Sequence, residues 1–411
     1  MIYGLIGQSL RHSYSPLLHQ ALGNQAYRLI QLEPGELPAF LRRPDLGGLN
    51  VTIPYKQTVM AYCSRLSPEA AAIGSVNTLV REKDGSLVGY NTDAYGLLYL
   101  ISRSGLSFAG RKVLIFGSGG AALTARAVAA ELGAGQVVTI SRRGENNYEN
   151  LSRHEDAELL INATPLGMYP HNGQMAADPA LFKGCRGVVD LVYNPLRTAF
   201  LLRAEALGLP YAGGLAMLAA QAKAAAALFF DRPLPETENE RLLRLLRRET
   251  ENLVLIGMPG SGKSAVGQAL ARISNRRALD IDGAVAQKTG KTVEGIFKSD
   301  GEEEFRRLER EAIAAAGAES GVVIITGGGA VKDERNYAPL HQNGRIYHIE
   351  RAISQLSREG RPLSLNADLA ALYQERLPLY QKFRDAVIVN DSSPELAADL
   401  IWRCFNESIG D

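Results

Sequence analysis

Cysteine and tryptophan are scarce in this chain of 411 residues, which has three of the first and one of the second. The cysteines, Cys63, Cys185 and Cys404, are odd in number and share no spacing that is typical of a metal site. The sequence therefore predicts neither a disulfide scaffold nor a zinc module, and a reducing, cytoplasmic location is expected.

Long apolar runs and an excess of one charge are also missing. The longest apolar stretch, 215–230, contains Gln221 and Lys223 and is shorter than the ~20 residues that span a bilayer. No basic segment followed by an apolar one opens the chain, so a signal peptide is not expected. The formal net charge is +1, and neither half has the basic excess of a nucleic-acid-binding protein. The expected partners are small molecules rather than membranes or nucleic acids. The sequence leaves open whether the chain forms a homo-oligomer.

What the chain does contain is strand-like apolar runs that alternate with helical patterns, together with 41 glycines. The alternation predicts an α/β architecture, and at ~150 residues per domain the length predicts roughly three domains. The predicted strands are 2–6, 76–81, 87–90, 112–116, 136–140, 159–163, 187–191, 253–257, 322–326, 345–349 and 386–389. The predicted helices are 121–132, 215–230, 236–248 and 264–273. The polar segment 249–252 predicts a short break, which places the main domain boundary near 250.

A glycine-rich loop joins the predicted strand 112–116 to the helix that follows it. Gly117, Ser118, Gly119, Gly120 and Ala121 form this loop. Such a turn lets the backbone approach a ligand closely, and the helix N-terminus offers free N–H groups to a pyrophosphate. An ordinary tight turn is the alternative, but the strand–loop–helix context favours a dinucleotide site.

The end of the next strand predicts which dinucleotide binds. An NAD site carries an acidic residue here for the ribose 2′-hydroxyl, whereas this chain has Ser141, Arg142 and Arg143. Two guanidinium groups suit a 2′-phosphate, although a solvated basic loop is a common alternative for an arginine pair. The position favours NADP over NAD.

Four polar motifs precede the glycine loop, at 13–16 (SYSP), 50–56 (NVTIPYK), 75–78 (SVNT) and 91–93 (NTD). Their hydroxyl and amide groups suit a polyhydroxylated ligand, and Lys56 and Asp93 can share a proton. Further motifs follow at 162–165 (NATP), 190–193 (DLVY) and 217–221 (MLAAQ). Taken in this order, the motifs make residues 1–248 resemble shikimate dehydrogenase.

This resemblance implies that Lys56 and Asp93 form the catalytic pair, which handles the proton as hydride moves between NADPH and the substrate. A cationic lysine is a sound donor to a developing alkoxide, and a neighbouring carboxylate orients it. The implied substrate-binding residues are Ser13, Ser15, Asn50, Thr52, Lys56, Asn77, Asp93, Tyr193 and Gln221. The implied NADP contacts are Gly117, Ser118, Gly119, Gly120, Ala121, Arg142, Arg143, Gly214 and Met217. The family commonly has Asn-Arg-Thr at 141–143, so Arg142 matches and Arg143 departs.

A second glycine loop, 257–264 (GMPGSGKS), satisfies the pattern G-x-x-x-x-G-K-[ST] between a predicted strand and a predicted helix. In this pattern the backbone N–H groups cradle phosphates, Lys263 reaches the β- and γ-oxygens and Ser264 holds Mg²⁺. The loop therefore predicts an ATP-dependent phosphotransfer site.

Motifs on the acceptor side follow at 280–282 (DID), 301–309 (GEEEFRRLE), 326–329 (TGGG), 361–363 (RPL) and 376–380 (RLPLY). With the phosphate loop they make residues 252–411 resemble shikimate kinase. The resemblance implies Asp282, Lys263 and Arg361 as catalytic residues, with Arg361 on a lid. Implied ATP contacts are Gly260, Ser261, Gly262, Lys263, Ser264, Arg358 and Arg361; implied acceptor contacts are Asp282, Arg306, Gly328, Gly329 and Arg376; implied Mg²⁺ ligands are Ser264 and Asp280.

The two resemblances converge on one metabolite. They imply residues 1–249 as a dehydrogenase, with a substrate-binding part (1–100 and 215–249) and a Rossmann NADP-binding part (101–214), followed by a P-loop α/β kinase domain with a parallel sheet over 250–411. The implied function is bifunctional: NADPH reduces 3-dehydroshikimate, and ATP with Mg²⁺ then phosphorylates shikimate. The alternative is a dehydrogenase for shikimate or quinate whose second half is a nucleotide-binding regulatory module.

Overall fold

The chain forms two compact units, Met1–Leu246 and Arg247–Asp411. The structure, a computed structural model, describes residues 1–10, 13–356 and 369–409. Within these ranges no helix is both long enough and apolar enough to cross a membrane. The α/β class predicted from the sequence is confirmed, with three separate sheets.

The first sheet is mixed and has the strand order β2-β1-β3-β5-β6-β4. Its strands are β1 (Ile2–Gly7), β2 (Tyr27–Gln31), β3 (Leu46–Val51), β4 (Arg65–Leu66), β5 (Thr78–Arg81) and β6 (Leu87–Tyr90). The accompanying helices are α1 (Ser15–Ala21), α2 (Leu37–Leu41), α3 (Pro68–Ile73) and α4 (Thr92–Ser104). β5 and β6 pair antiparallel through the turn at 83–86, as the sequence predicts. The polar motifs at 50–56, 75–78 and 91–93 all adjoin the ends of these strands.

The second sheet is wholly parallel and has the order β11-β10-β9-β7-β8. Its strands are β7 (Lys112–Phe116), β8 (Gln136–Ile140), β9 (Leu159–Asn162), β10 (Gly187–Asp190) and β11 (Tyr211–Gly213). Its helices are α5 (Gly120–Glu131) and α6 (Ala199–Ala206). Alternate residues of β7 enter two cores, with Val113 and Ile115 in one and Leu114 and Phe116 in the other. The chain order reverses at β7, and ligands of doubly wound sheets bind at such a switch point.

Two helices, α7 (Leu215–Phe229) and α8 (Thr237–Thr250), follow the second sheet. α7 packs closely on α4. At Gly96 the two helices are so near each other that an added Cβ would lie only 2.7 Å from the carbonyl oxygen of Met217. α8 buries Leu242, Leu243 and Leu246 in the core of the first unit. This packing brings Gln221, on α7, to the same region as the polar loops of the first sheet.

The second unit contains a five-stranded parallel sheet with the order β13-β14-β12-β15-β16. Its strands are β12 (Asn252–Ile256), β13 (Ala278–Asp280), β14 (Val323–Ile325), β15 (Gly344–Glu350) and β16 (Ala386–Val389). Its helices are α9 (Lys263–Ser274), α10 (Ile281–Thr289), α11 (Val293–Ser299), α12 (Gly301–Gly317), α13 (Tyr337–His341), α14 (Leu369–Phe383) and α15 (Pro394–Ser408). β12 contributes Leu253 and Leu255 to one core and Val254 and Ile256 to the other, so helices cover both faces.

The break predicted at 249–252 is shorter in the structure than the sequence predicts. α8 continues to Thr250 and β12 begins at Asn252, so Glu251 alone separates the helix from the strand. Thr250, Glu251 and Asn252 are each no more than 2% exposed. The segment therefore has the polar composition of a linker, but its residues 250–252 are as buried as core residues.

Partners distant in the sequence explain why these polar residues are buried. The Asn252 side chain donates to the carbonyl oxygen of Glu319 at 2.8 Å and accepts from the backbone N–H of Val322 at 3.0 Å. Arg276 donates to the carbonyl oxygen of Glu251 at 2.6 Å. A buried polar group is stable only when it is paired in this way.

Candidate functional site

One cavity of about 170 Å³ lies in the first unit, and it brings together all nine residues predicted to bind the dehydrogenase substrate. These are Ser13, Ser15, Asn50, Thr52, Lys56, Asn77, Asp93, Tyr193 and Gln221. Asn50 belongs to β3, and Ser15, Asp93 and Gln221 belong to α1, α4 and α7. The other five lie in the segments after β1, β3 and β10 and just before β5. Polar groups from at least five segments thus converge on one space, which is the arrangement that a small polyhydroxylated ligand requires.

Lys56 and Asp93 form an ion pair in this cavity. Lys56 Nζ lies 2.5 Å from Asp93 Oδ2, with the side chains 17% and 9% exposed. The other carboxylate oxygen, Oδ1, accepts from Asn77 Nδ2 at 2.8 Å. The carboxylate is thereby held by two donors, and it directs the ammonium group of Lys56 in turn. Such a fixed ammonium group can give a proton to an oxygen that develops negative charge.

Asn77 is itself anchored at the start of α4. Its side-chain oxygen accepts from the backbone N–H of Thr92 at 2.7 Å, and Nδ2 also donates to the Thr92 hydroxyl at 3.0 Å. Asn91, the residue before α4, caps that helix by accepting from the N–H of Ala94. The asparagines in the motifs 75–78 and 91–93 therefore fix the helix that carries Asp93.

The remaining predicted substrate residues line the cavity with fewer internal bonds. Ser13 Oγ and Ser15 Oγ are 3.2 Å apart, and Gln221 Nε2 donates to the carbonyl oxygen of Leu218. The ring of Tyr193 is 6.0 Å from that of Tyr14, and burial raises the pKa of Tyr193 to about 12. Tyr193 therefore keeps its proton near neutral pH and can act as a hydrogen-bond donor.

The glycine loop 117–121 adjoins the same cavity. Gly117 has φ +121°, which few residues other than glycine adopt, and a Cβ there would lie 2.9 Å from the carbonyl oxygen of Ala163. A Cβ on Gly120 would lie 3.2 Å from Cδ of Lys56. The first turn of α5 is thus in contact with the lysine of the ion pair.

Three other residues predicted to contact NADP also line the cavity, namely Ala121, Gly214 and Met217. Ser118 and Gly119 are exposed at the N-terminus of α5, whose first turn holds no acidic residue. Free N–H groups with no competing carboxylate make that end of the helix suitable for a pyrophosphate.

Arg142 and Arg143 lie in the turn after β8, and both are exposed. β8 is the neighbour of β7, with Phe116 paired to Ile140, so this turn lies beside the glycine loop at the carboxyl edge of the sheet. The N–H of Gly117 donates to the carbonyl oxygen of Ile140 at 2.9 Å. A ribose of a dinucleotide held at the loop would lie near these arginines.

The second unit presents the phosphate loop between β12 and α9. Gly257, Gly260 and Gly262 have φ values of +147°, +88° and +92°, so all three adopt the left-handed conformation that the loop requires. Lys263 Nζ donates to the carbonyl oxygens of Gly257 and Met258 at 2.8 and 2.9 Å. The ammonium group of Lys263 is therefore bonded to two carbonyl oxygens of its own loop. Ser264, the next residue, is exposed.

The predicted acceptor residues surround the loop after β14. A Cβ on Gly327 would lie 2.8 Å from Asp282 Oδ1, and one on Gly329 would lie 2.5 Å from Arg306 Nη2. Arg376 Nη1 donates to the carbonyl oxygen of Gly328 at 3.0 Å. Asp282, Arg306 and Arg376 thus all adjoin residues 327–329.

A proline joins this acceptor region to the phosphate loop. A Cβ on Gly328 would lie 2.6 Å from Cδ of Pro259, so only glycine allows this approach of the two loops. Asp280 accepts from the N–H of Gly283 at 3.1 Å and caps α10. Within the described ranges no cluster of three or more His, Cys, Asp or Glu side chains could hold a metal. Arg358 and Arg361, predicted to contact ATP, lie outside the described residues.

Two side chains of the acceptor region, Glu309 and Tyr380, have no role implied by the sequence motifs. Glu309 is 1% exposed and its Oε2 accepts from Arg306 Nη1 at 2.7 Å. Burial raises the pKa of Glu309 and Arg306 opposes this shift. Tyr380 donates to the carbonyl oxygen of Gly328 at 2.7 Å. The i to i+3 spacing of Arg306 and Glu309 on one helix was a usable signal, but no local pattern connects Tyr380 with Gly328.

Sequence comparisons match both units. The family model for the shikimate dehydrogenase substrate-binding domain matches residues 5–79, and that for shikimate kinase matches residues 259–405. The chain is 35% identical over 273 residues to the shikimate dehydrogenase (NADP(+)) of Moorella thermoacetica, which covers 59% of this chain and 92% of that protein. It is 37% identical over 267 residues to the enzyme of the same name from Oleidesulfovibrio alaskensis, covering 59% and 94%.

Solved structures resemble the first part of the chain. A chorismate mutase/shikimate 5-dehydrogenase fusion protein from Clostridium acetobutylicum is 32% identical with a TM-score of 0.56, covering 60% of this chain and 96% of that one. Shikimate 5-dehydrogenase from Thermus thermophilus, in complex with NADP(H) and shikimate, is also 32% identical with a TM-score of 0.53. That comparison covers 59% of this chain and 99% of the other.

Proposed function

We propose a function that proceeds from one fact: this chain belongs to the shikimate dehydrogenase family and carries a shikimate kinase domain behind that part. It is an enzyme of the shikimate pathway. The first unit reduces 3-dehydroshikimate to shikimate with NADPH, and the second transfers the γ-phosphoryl group of ATP to the 3-hydroxyl of shikimate. The oxidoreductase and the phosphotransferase act in sequence on one metabolite.

The convergence of nine polar side chains on one cavity, against the first turn of α5, carries the first half of this proposal. NADP(H) supplies the hydride when it is bound along the glycine loop. Lys56 gives its proton to the carbonyl oxygen of the substrate during reduction, and Asp93 holds the lysine in place. Asn77 fixes the carboxylate, and the serine, threonine and asparagine side chains bind the ring substituents.

The contacts of residues 327–329 support the second half. Asp282 orients or deprotonates the acceptor hydroxyl, and Arg306 and Arg376 bind the substrate carboxylate as planar cationic donors. Lys263, now bonded to the loop carbonyls, would bind the β- and γ-phosphates of ATP, and Ser264 and Asp280 would hold the Mg²⁺ that neutralises phosphate charge. A regulatory nucleotide-binding module has no need of this acceptor region, which disfavours that alternative.

Two substitutions in the full-length chain test the two halves separately. Lys56→Ala is expected to lower NADPH-dependent reduction of 3-dehydroshikimate about 10²- to 10⁴-fold, while phosphorylation of supplied shikimate stays near the wild-type rate. Lys263→Ala is expected to abolish phosphorylation and to leave reduction unchanged. NADPH absorbance and the appearance of phosphoshikimate are the two measurements.

Each substitution is the control for the other, because both remove one lysine charge. A Lys56→Ala enzyme that reduces 3-dehydroshikimate within a few-fold of wild type would refute the role of that residue. A wild-type chain that binds ATP but phosphorylates no shikimate would favour the regulatory alternative instead.

A further inference from the structure

Tyr27 lies directly behind the substrate cavity without lining it. It is the first residue of β2 and is 2% exposed. Its hydroxyl donates to Asn50 Oδ1 at 2.7 Å, and Asn50 is one of the residues that line the cavity. The Tyr27 side chain also interacts with the Ser15 side chain and packs in one cluster with Leu5, and both of these residues line the cavity.

Asn50 has a side-chain amide whose orientation depends on its neighbours. Nδ2 donates to the Thr78 hydroxyl at 3.1 Å, whereas Oδ1 accepts from Tyr27. The Thr78 hydroxyl lies 3.2 Å from Asn77 Oδ1 and 3.1 Å from the Thr92 hydroxyl. Because a hydroxyl can donate or accept, Thr78 can pair with either orientation of the Asn50 amide. Nδ2 also donates to the backbone carbonyl oxygen of Asn77 at 3.5 Å, and since a carbonyl oxygen only accepts, this contact favours the orientation in which Tyr27 donates to Oδ1.

The position of the Tyr27 hydroxyl is fixed by the packing of its ring. The ring stacks on that of His19 with centroids 3.9 Å apart and 6° between the planes. Burial lowers the pKa of His19 to about 3, so the stacked imidazole is neutral. The ring also belongs to a core cluster that includes Leu5 and Phe229. Burial raises the pKa of Tyr27 well above its ordinary value, so the hydroxyl keeps the proton that it donates.

We propose that Tyr27 is a positioning residue for the dehydrogenase reaction: its hydroxyl holds the Asn50 amide with Oδ1 directed to accept a hydrogen bond from a ring hydroxyl of shikimate. This inference rests on the proposed function. An oxygen accepts two hydrogen bonds, and Tyr27 occupies one of the two positions on Oδ1. Rotation of the amide by 180° would present N–H groups in place of that acceptor.

The full-length chain with Tyr27→Phe tests the proposal, because it removes the hydroxyl and keeps the ring that stacks on His19. We expect kcat/KM for shikimate oxidation to fall about 3- to 10-fold, as for one lost hydrogen bond, with KM for NADP⁺ unchanged. Tyr55→Phe is the matched control. Tyr55 is also 2% exposed, and its hydroxyl donates to the carbonyl oxygen of Leu32 at 2.5 Å instead of to a cavity residue.

A double-mutant cycle separates positioning from a general loss of stability. If Tyr27 acts through Asn50, Tyr27→Phe has no further effect on kcat/KM once Asn50→Ala is present. An equal fall in both backgrounds, or an equal fall with Tyr55→Phe, would overturn the proposal. A Tyr27→Phe enzyme whose kcat/KM equals that of an active wild type would also overturn the proposal.

A different result would concern the proposed function itself. A wild-type chain that oxidises no shikimate with NADP⁺ overturns both that function and this inference. A wild type that is active, with a variant that does not differ from it, overturns the inference alone.

Discussion

The exposed arginines at the end of β8 allow a quantitative test of cofactor choice. NADPH differs from NADH by one phosphate on the 2′-oxygen of the adenosine ribose, and that ribose would lie beside the turn that holds Arg142 and Arg143. Arg142→Asp removes a cation that suits the phosphate. The substitution also supplies a carboxylate of the kind that accepts a hydrogen bond from the free ribose 2′-hydroxyl in NAD sites.

The exposure of both side chains limits the size of the effect. An ion pair in contact with water contributes about 1 kcal/mol or less, whereas a buried pair contributes several times more. Loss of one such pair, together with repulsion between the new carboxylate and the phosphate, is expected to cost about 1.4 to 2.8 kcal/mol. We therefore expect the ratio of kcat/KM for NADPH to that for NADH to fall about 10- to 100-fold, since 1.4 kcal/mol is tenfold.

The assay is the initial rate of 3-dehydroshikimate reduction with each cofactor over a range of concentrations. Arg126→Asp is a control for net charge, because it makes the same change of charge at a residue that is exposed on α5 and is not one of those predicted to contact NADP. Its cofactor ratio is expected to equal that of the wild type. Equal efficiency of the wild type with both cofactors, or an unchanged ratio in Arg142→Asp, would refute the reasoning.

Two further predictions concern stability. Asn252→Ala leaves the Val322 N–H and the Glu319 carbonyl oxygen without their partner, so the free energy of unfolding of the second unit is expected to fall by about 2 to 5 kcal/mol. Urea titration followed by the fluorescence of Trp402, the one tryptophan, measures this free energy. A fall of less than ~1 kcal/mol would contradict the prediction. Burial raises the pKa of Asp190 from its ordinary 3.8 to about 7, so the folded state binds this proton more tightly than the unfolded state and the stabilisation is lost as pH rises from about 4 to about 7. Asp190→Asn is expected to remove that pH dependence from amide hydrogen exchange in β10, and the same slope in the variant would exclude Asp190 as its source.

Local patterns were sufficient for the nucleotide loops and for most of the strands. The loops at 117 and 257 depend on glycines whose positive φ values are a property of the residue itself, and on a helix that starts immediately afterwards. The hairpin β5–β6 and most strands of the parallel sheets follow from short apolar runs between turn residues, whereas the short strands β11 and β13 were not predicted. Each of these features involves residues near one another in the chain.

The junction of the two units shows why composition misled at 249–252. Glu249 to Asn252 are all polar, which locally predicts a solvated break. Arg276, Glu319 and Val322 pair with this segment from distant positions and make its burial favourable. A cut between 249 and 250 would divide the last turn of α8, so separated halves need a different boundary from the one that the sequence predicts.

The sequence by itself determined the α/β class and the two glycine loops, because these depend on residue type and short spacing. The polar residues of each predicted site were implied by the family resemblances and stay a prediction. Only the tertiary structure decided that nine of those residues share one cavity and that Gly120 contacts Lys56. It also decided that Tyr27 holds the amide of Asn50, 23 positions away. The physical reason is that such contacts arise from strand order and helix packing, which bring distant segments together and leave no periodic trace in the chain.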